Sequence, residues 1–359
     1  MATYPMSYKI GCNFDPELLD GLAGLNSKYA TKQWRITELY GSLPSVNPIG
    51  TARPGFRLRD GDALFLESYV RDALELGMGL NYTINTSSVD PRELKAREAE
   101  IGEFLEFLSD IGVVRVTVAH PLVAQLVSAL CPSLPVEIST ILQLRHPRQL
   151  ELLKDRCPSV EKICLDVFAN RDREKLTEFY AVGRSLGIAL EVIVNEFCIY
   201  ECPDRNPCYD LHALDLTQDE TRLFGHYPMG NCIRERIMSP IEWLWARFIL
   251  PQWVRTYYEK FGITSFKITG RTHPTAYILR TAEAYMSGSF TGNLLELWAD
   301  VENIGRLESE YRQPRIVLDM SKIEEAPGAF LDFYFGSIPV TYRRETSYLR
   351  RAFERCREG

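Results

Sequence analysis

Residues 160–194 read VEKICLDVFANRDREKLTEFYAVGRSLGIALEVIV. An apolar run, Val160–Phe168, is followed by REKLTEFYAVGRSLG and then by a second apolar run, Ile188–Val194. Apolar residues spaced by three and four argue a helix, and short apolar runs bounded by turn residues argue buried strands. The unit is strand–helix–strand. Both strands are too apolar for a sheet with one wet face, which suits a parallel sheet covered by helices.

The same unit repeats outward in both directions. Further strand-like runs are Tyr8–Phe14, Trp34–Tyr40, Met78–Asn85, Val113–Ala119, Val136–Leu142 and Thr264–Thr269, most of them followed by a helical stretch. Asp90 and Pro91 make a good helix start, with a capping carboxylate and proline at the first helical position. Eight alternations predict an α/β protein, a (β/α)8 TIM-like barrel over residues 1–300. The alternative is an open doubly wound sheet, but no GxGxxG opens a first helix. The rhythm stops past about residue 300, so residues 301–359 are expected to form a C-terminal extension packing on the barrel. Arg315–Met320 reads as one more strand, and the arginine-rich end from Thr341 as a surface helix or docking tail.

Bulk properties narrow the function classes. The chain has 359 residues, is 45% apolar and carries a formal charge of −7. A nucleic-acid binder normally has a basic excess, so that class is disfavoured. The N-terminal segment MATYPMSYKIGCNF lacks an apolar signal core, and no run reaches the roughly 20 apolar residues of a membrane span. These features predict a soluble cytoplasmic protein. In a reducing compartment its nine cysteines are expected as thiols or metal ligands, not disulfides.

A barrel places its chemistry on the loops leaving the carboxyl ends of its strands. The loop after the seventh strand, residues 195–240, reads NEFCIYECPDRNPCYDLHALDL, a polar run and GHYPMGNC, and carries Cys198, Cys202, Cys208 and Cys232. Three thiols within eleven residues on a loop suggest ligation, not packing. The spacing Cys198-x3-Cys202-x5-Cys208-x23-Cys232 does not match paired CxxC knuckles of structural zinc. Wide, proline-containing spacings suit an iron–sulfur cluster. Zinc is the alternative, with His212 or His226 completing the set, and Cys12 is a reserve ligand. Cys131, Cys157 and Cys164 read as small core hydrophobes. A polar ring at the other strand ends is expected to surround the loop: Glu38, Asn81, Asn85, His120, Gln143, Asp166, Asn195, Glu196, Lys267, Thr269 and Arg271.

Several segments resemble one family, the collagenase-like peptidases of unassigned mechanism (family thirty-two). They are ELYGSLP, LNYTIN, VNEFCIYECPDR, FKITGRTHPTAY and AEAYMSGSFTGN, which together span most of residues 8–295. The resemblance implies a barrel with a 4Fe-4S cluster on four cysteines. Cys198 and Cys202 match the family's loop by motif, and Cys208 and Cys232 are assigned by proximity. It also implies oxygen-independent hydroxylation, known in the family on RNA or ubiquinone, with prephenate as the oxygen donor. The long C-terminal domain of the RNA-acting members is missing here, which agrees with the acidic charge.

A dianionic cosubstrate needs arginine or lysine at the mouth, since guanidinium binds carboxylate bidentately. The substrate-binding candidates are Arg53, Asn81, Arg205, Lys267 and Arg271, and the proton carriers are Glu38, His120 and Asp166. An oxidoreductase acting on a small-molecule or modified substrate is the first reading. A metal- or cysteine-dependent peptidase is the second, although no GxSxG or HExxH is present. The third is a non-catalytic cluster-bearing subunit with a homologous partner. Its partner surfaces would be the arginine-rich tail and Trp243, Trp245 and Trp253 in IEWLWARFILPQW, though ordinary packing of those tryptophans is favoured.

Overall fold

The computed structural model describes residues 6–214, 220, 229–298, 301–324 and 326–357. The eight apolar runs form parallel strands: β1 Met6–Gly11, β2 Trp34–Gly41, β3 Gly79–Ile84, β4 Arg115–Val118, β5 Val136–Ile138, β6 Val160–Cys164, β7 Ala189–Ile193 and β8 Ser265–Ile268. Each strand pairs with the next in sequence, and β8 pairs with β1 to close the barrel. The (β/α)8 expectation holds. Helices begin where short carboxylates satisfy free amides: Asp15 accepts from Glu17 N, Asp62 from Phe65 N and Asp90 from Arg92 N. Residues such as Leu22, Val70, Leu105, Val123 and Phe179 fill the layer between strands and helices and are fully buried.

The barrel lumen is filled differently. TIM barrels usually fill it with layers of branched aliphatics. Here Lys9, Glu38, Asn81, Thr117, Glu137, Lys162, Glu191 and Ser265 are all buried polar residues on the strands. Lys9 Nζ binds Glu137 Oε1 and lies 2.6 Å from Glu191 Oε1. Lys162 Nζ lies 3.0 Å from Glu38 Oε2, and Arg115 Nε lies 3.2 Å from the same oxygen. Asn81 Nδ2 donates to Glu38 at 2.8 Å and Glu137 at 3.0 Å, while its Oδ1 accepts from Thr117 Oγ1 at 2.6 Å. Ser265 Oγ donates to Glu191 Oε2 at 2.7 Å. Burial alone would neutralise these groups, but each carboxylate has a cation beside it. Burial disfavours the Lys9 ammonium, yet Glu137, Glu191 and Glu38 outweigh it and hold its pKa above the ordinary lysine value. Burial likewise disfavours the Glu38 carboxylate, and Lys162, Arg115 and Lys9 outweigh it and hold it well below the carboxylate range.

Two expectations are corrected, and the favoured packing of the three tryptophans is borne out. The helix placed from about Pro240 to Phe261 is broken into Glu242–Trp245 and Val254–Phe261, with a short 3-10 turn at Pro251–Trp253. Between them Ile249 N donates to Val194 O at 2.7 Å, so the chain extends the pairing of β7 instead of coiling. Arg315–Met320 forms no strand. Asn293 fastens this segment by bonding Ile316 O and Leu318 N, both at 3.0 Å, and the short helix Met320–Ile323 follows. Trp243, Trp245 and Trp253 are buried under the chain's own C-terminal residues: Trp253 stacks on Phe330 at 5.3 Å and Trp245 on Tyr342 at 5.6 Å. They offer no open partner surface. The tail forms the helix Tyr342–Arg357, whose buried Glu345 pairs with Arg247 and accepts from Tyr334 Oη at 2.6 Å.

The lumen charges predict an acid limit to stability. Burial raises the pKa of Glu191, but Lys9, Lys162 and Lys267 outweigh it and bring it down to about 2, against an ordinary value of 4.5. The folded pKa is depressed, so this contribution is complete above the ordinary value and is lost as pH falls towards about 2. Lys9→Met removes the nearer cation of Glu137 and Glu191 and leaves them only Lys162, at 3.8 and 3.7 Å. Denaturant unfolding of this variant at neutral pH is expected to show a loss of about 3–5 kcal/mol. Its stability should also fall less steeply with acid than that of the parent.

Candidate functional site: the carboxyl-end mouth of the barrel

The loop after β7 is fixed at its root. Asn195 Oδ1 accepts from Thr269 N at 2.7 Å and its Nδ2 donates to Thr269 O at 3.1 Å, joining the exits of β7 and β8. Glu196 Oε1 accepts from the amides of Phe197 and Cys198 at 2.9 and 3.2 Å. The helix Arg205–Ala213 then crosses the mouth. Asp210 accepts from Ser87 Oγ after β3 at 2.7 Å, Asn206 from Gln143 Nε2 after β5, and Arg205 Nη1 donates to Asp166 after β6 at 2.7 Å. Tyr209 of this helix packs on Ala52, Ala119 and Ile141. The loop is thus a cover held from three strand ends.

The loop's cysteines gather on this cover. The helix Arg205–Ala213 sets Cys208 one turn before His212, with Sγ and Nδ1 4.0 Å apart. The helix Met229–Met238 sets Cys232 one turn before Arg236, whose Nη2 donates to Cys232 Sγ at 3.0 Å. The buried Arg236 guanidinium lies 4.9 Å from the rings of both Phe197 and Trp243, tying this helix to the loop root. Burial pushes the Cys198 thiol well up, helped by Glu196 and opposed by Arg205 and Arg236. Burial also raises Cys202, and it raises Cys208 to about 12. Cys232 is close enough to add to the shift at each of the other three. Cys232 thus lies within electrostatic reach of three thiols that precede it by up to 34 positions in the sequence. Among the described residues, no three His, Cys, Asp or Glu side chains form a group that could hold one metal ion. His226 lies outside the described residues. Cys12 is buried, bonded to Tyr69 Oη at 3.2 Å and receiving Phe14 N at 3.2 Å, so it is already committed within the core.

The polar ring divides into three sets. Glu38 and Asn81 belong to the lumen network and lie beneath the mouth. Asp166 and Arg205 form a buried ion pair that clamps the cover, so neither stands free, and Asp166 also accepts from Phe168 N at 3.0 Å. The third set faces the mouth. His120 Nδ1 accepts from Leu122 N at 3.2 Å, which places the imidazole proton on Nε2, and burial lowers its pKa. Arg271 Nη1 and Nη2 donate to Thr83 Oγ1 at 2.5 Å and Thr51 Oγ1 at 2.8 Å. No carboxylate pairs with Arg271 among the described residues, and burial together with Arg53 pushes its pKa down to about 9. Asn85 Oδ1 supports this wall by accepting from Thr51 Oγ1 at 2.8 Å and Ala52 N at 3.3 Å. Gly11 makes room for it: a Cβ there would lie 2.8 Å from Arg271 N. Arg53 Nη1 donates to Ala52 O at 2.7 Å and acts on Cys208, so the cationic wall adjoins the thiols.

Sequence reading missed the lumen residues Lys9, Arg115, Glu137, Lys162 and Glu191, together with Tyr40 and Arg236. A signal was present for the first group. Lys9, Arg115, Glu137 and Glu191 are each a lone charge inside an otherwise apolar strand, as in YKIG, VEI and ALEVI, while Lys162 sits beside Glu161 in VEKIC.

Fold and mouth define a TIM-like barrel protein with a thiol-bearing cover over the carboxyl-end face of its strands. No family model matches the chain. Over 190 residues it is 31% identical to an uncharacterized protease of Methanocaldococcus jannaschii, covering 53% of this chain and 54% of the relative. The chain thus spans about half the length of that curated relative. Among solved structures it is similar to a U32 peptidase at 15% identity and a TM-score of 0.48, covering 75% of this chain and 95% of that one. It is also similar to a D-psicose 3-epimerase crystallised with D-fructose, at 12% identity and a TM-score of 0.38, covering 52% and 73%. The sequence relative supports the resemblance to the collagenase-like peptidases that the motifs carry. Among the described residues no helix is long and apolar enough to cross a membrane.

The clamp between cover and barrel is testable by exchange. Arg205→Met strands the Asp166 carboxylate in a buried site, which costs about 3–5 kcal/mol when one partner of such a pair is removed. Hydrogen exchange of amides 197–213 is expected to speed up in this variant, while the amides of β1 and β2 keep their protection.

Proposed function

We propose that the chain is a cluster-bearing enzyme resembling the collagenase-like peptidases, and that it hydroxylates a small or modified substrate without molecular oxygen. What supports the reading is that Cys198, Cys202, Cys208 and Cys232 sit on one cover, with Cys232 in electrostatic reach of the other three and Arg53 in reach of Cys208. The donor set fits a 4Fe-4S cluster. The loop supplies four soft sulfurs, whereas a single tetrahedral zinc would need all of its ligands within about 2.3 Å of one ion. Such a cluster supplies one-electron transfer when bound. The chain's own residues do the rest. Arg236 donates to the Cys232 sulfur and holds it on the cover. Arg271 and Arg53 offer guanidinium donors to the carboxylates of an acidic cosubstrate, for which prephenate is our candidate. His120, protonated on Nε2, is the candidate at the mouth for giving and taking a proton.

The second reading is a peptidase, favoured by the name of the relative. A cysteine nucleophile works as a low-pKa thiolate. Burial pushes Cys198, Cys202 and Cys208 the other way.

Anaerobic purification tests the proposal. A brown protein with about four irons and four sulfides per chain is expected, with the colour lost in Cys198→Ala and Cys232→Ala. A colourless protein that takes up no iron on reconstitution, or one with stoichiometric zinc, would remove the reading. Casein hydrolysis abolished by Cys198→Ala would put the peptidase first. Arg271→Gln should weaken prephenate binding, measured by calorimetry, by about tenfold to a hundredfold, as expected for loss of a charge-assisted carboxylate contact.

A further inference from the structure

Tyr200 stands midway between Cys198 and Cys202, and its half-buried ring sits in a three-sided box. Trp245 stacks on it at 5.9 Å with an interplanar angle of 10°, and Phe168, after β6, meets it edge-on at 5.2 Å. The third wall is the Arg247 guanidinium, 3.6 Å from the ring centroid. A guanidinium over a ring face is held more strongly where water is excluded, and Arg247 is buried. The backbone of the turn has no such anchor. Cys202 N donates to Ile199 O at 3.2 Å and Arg205 N to Cys202 O at 3.3 Å, both within the loop. Among the described residues no backbone bond joins residues 199–202 to a strand. Glu201, one position before Cys202, has a φ of 53°, in the left-handed region. A non-glycine residue keeps that conformation only where its surroundings impose it. The boxed ring before Glu201 and the helix that starts at Arg205 supply the constraint.

Two walls of the box lean on the C-terminal helix. Glu345 grips both ends of the Arg247 guanidinium: Nη1 bonds Oε1, and Nη2 donates to Oε2 at 3.2 Å. Tyr334 Oη donates to Glu345 Oε1 at 2.6 Å, and Asn170 Nδ2 donates to Arg247 O at 2.8 Å. Trp245 also stacks on Tyr342, the first residue of that helix, at 5.6 Å. Cys208 and Cys232 have a different support, since each lies within a helix of the loop.

We infer that Tyr200, Arg247 and Glu345 are positioning residues: through the Tyr200 ring, the C-terminal helix sets where the Cys198 and Cys202 thiols point. The inference deepens the ligand role proposed for these thiols, and it concerns their placement with or without a cluster.

Anaerobic alkylation of the full-length, chelator-treated protein with iodoacetamide tests it, each thiol being followed by peptide mass spectrometry. In Tyr200→Leu and Glu345→Gln, Cys198 and Cys202 should react about tenfold faster than in the parent, the scale of one lost cation–π anchor. Cys208 and Cys232 should keep their rates. Tyr200→Phe, which retains the ring, should react like the parent. If circular dichroism shows Glu345→Gln unfolded, Tyr342→Ala takes its place, because Tyr342 is exposed and should shift the same two rates. A general loosening of the fold would instead raise all the thiols together, including the buried Cys12 and Cys164. That outcome would overturn the inference. So would parent rates in Tyr200→Leu or in the folded helix variant, or Tyr200→Phe reacting like Tyr200→Leu. Failure to take up iron would end the cluster reading without touching these rates.

Discussion

The pairing of Lys9 with Glu137 and Glu191 at the barrel axis is the constraint on which the rest depends. Three charges from β1, β5 and β7 meet there with almost no water. Their desolvation is offset only if each strand keeps its register, because a shift of one residue turns a side chain to the other face of the sheet. Lys162, Glu38 and Arg115 repeat the arrangement from β6, β2 and β4. The lumen is therefore an ionic lattice that holds the barrel in one alignment. Any side chain above it inherits that alignment.

The lattice also decides the chemistry at the mouth. Lumen carboxylates are taken up by Lys9, Lys162 and Arg115. The cations one layer higher, Lys267 and Arg271, are left with a tyrosine ring and hydroxyls. A buried cation with neutral neighbours is costly unless an anion arrives. This is the physical ground for the acidic ligand proposed above, despite the chain's net charge of −7. Overall charge reports on the outer surface, whereas the mouth is set by a few buried groups.

The cover joins both ends of the chain's functional architecture. Its root is tied to β8 by Asn195, and its middle to β6 by Arg205 and Asp166. Tyr200, between two of the cysteines, stacks on Trp245 at 5.9 Å and lies 3.6 Å from the Arg247 guanidinium. Arg247 in turn pairs with Glu345 of the last helix. The C-terminal helix therefore buttresses the thiol loop through one continuous stack of aromatic rings and cations.

Periodicity alone determined the eight strand–helix alternations, because burying a parallel strand on both faces leaves a clear apolar run. The thiol loop was legible too, since four cysteines at those intervals have no packing explanation. The tertiary structure decided how the charges sort. Glu38, Asn81, Asp166, Arg205, Lys267 and Arg271 look alike in sequence, as polar residues at strand ends. Pairing across the barrel commits the first four to structure and leaves the last two at the mouth. That sorting depends on which strands face each other across the axis, a distance of more than a hundred residues between Lys9 and Glu137. No local pattern encodes it, because the energy of a buried charge is set by the partner that closure of the barrel brings to it.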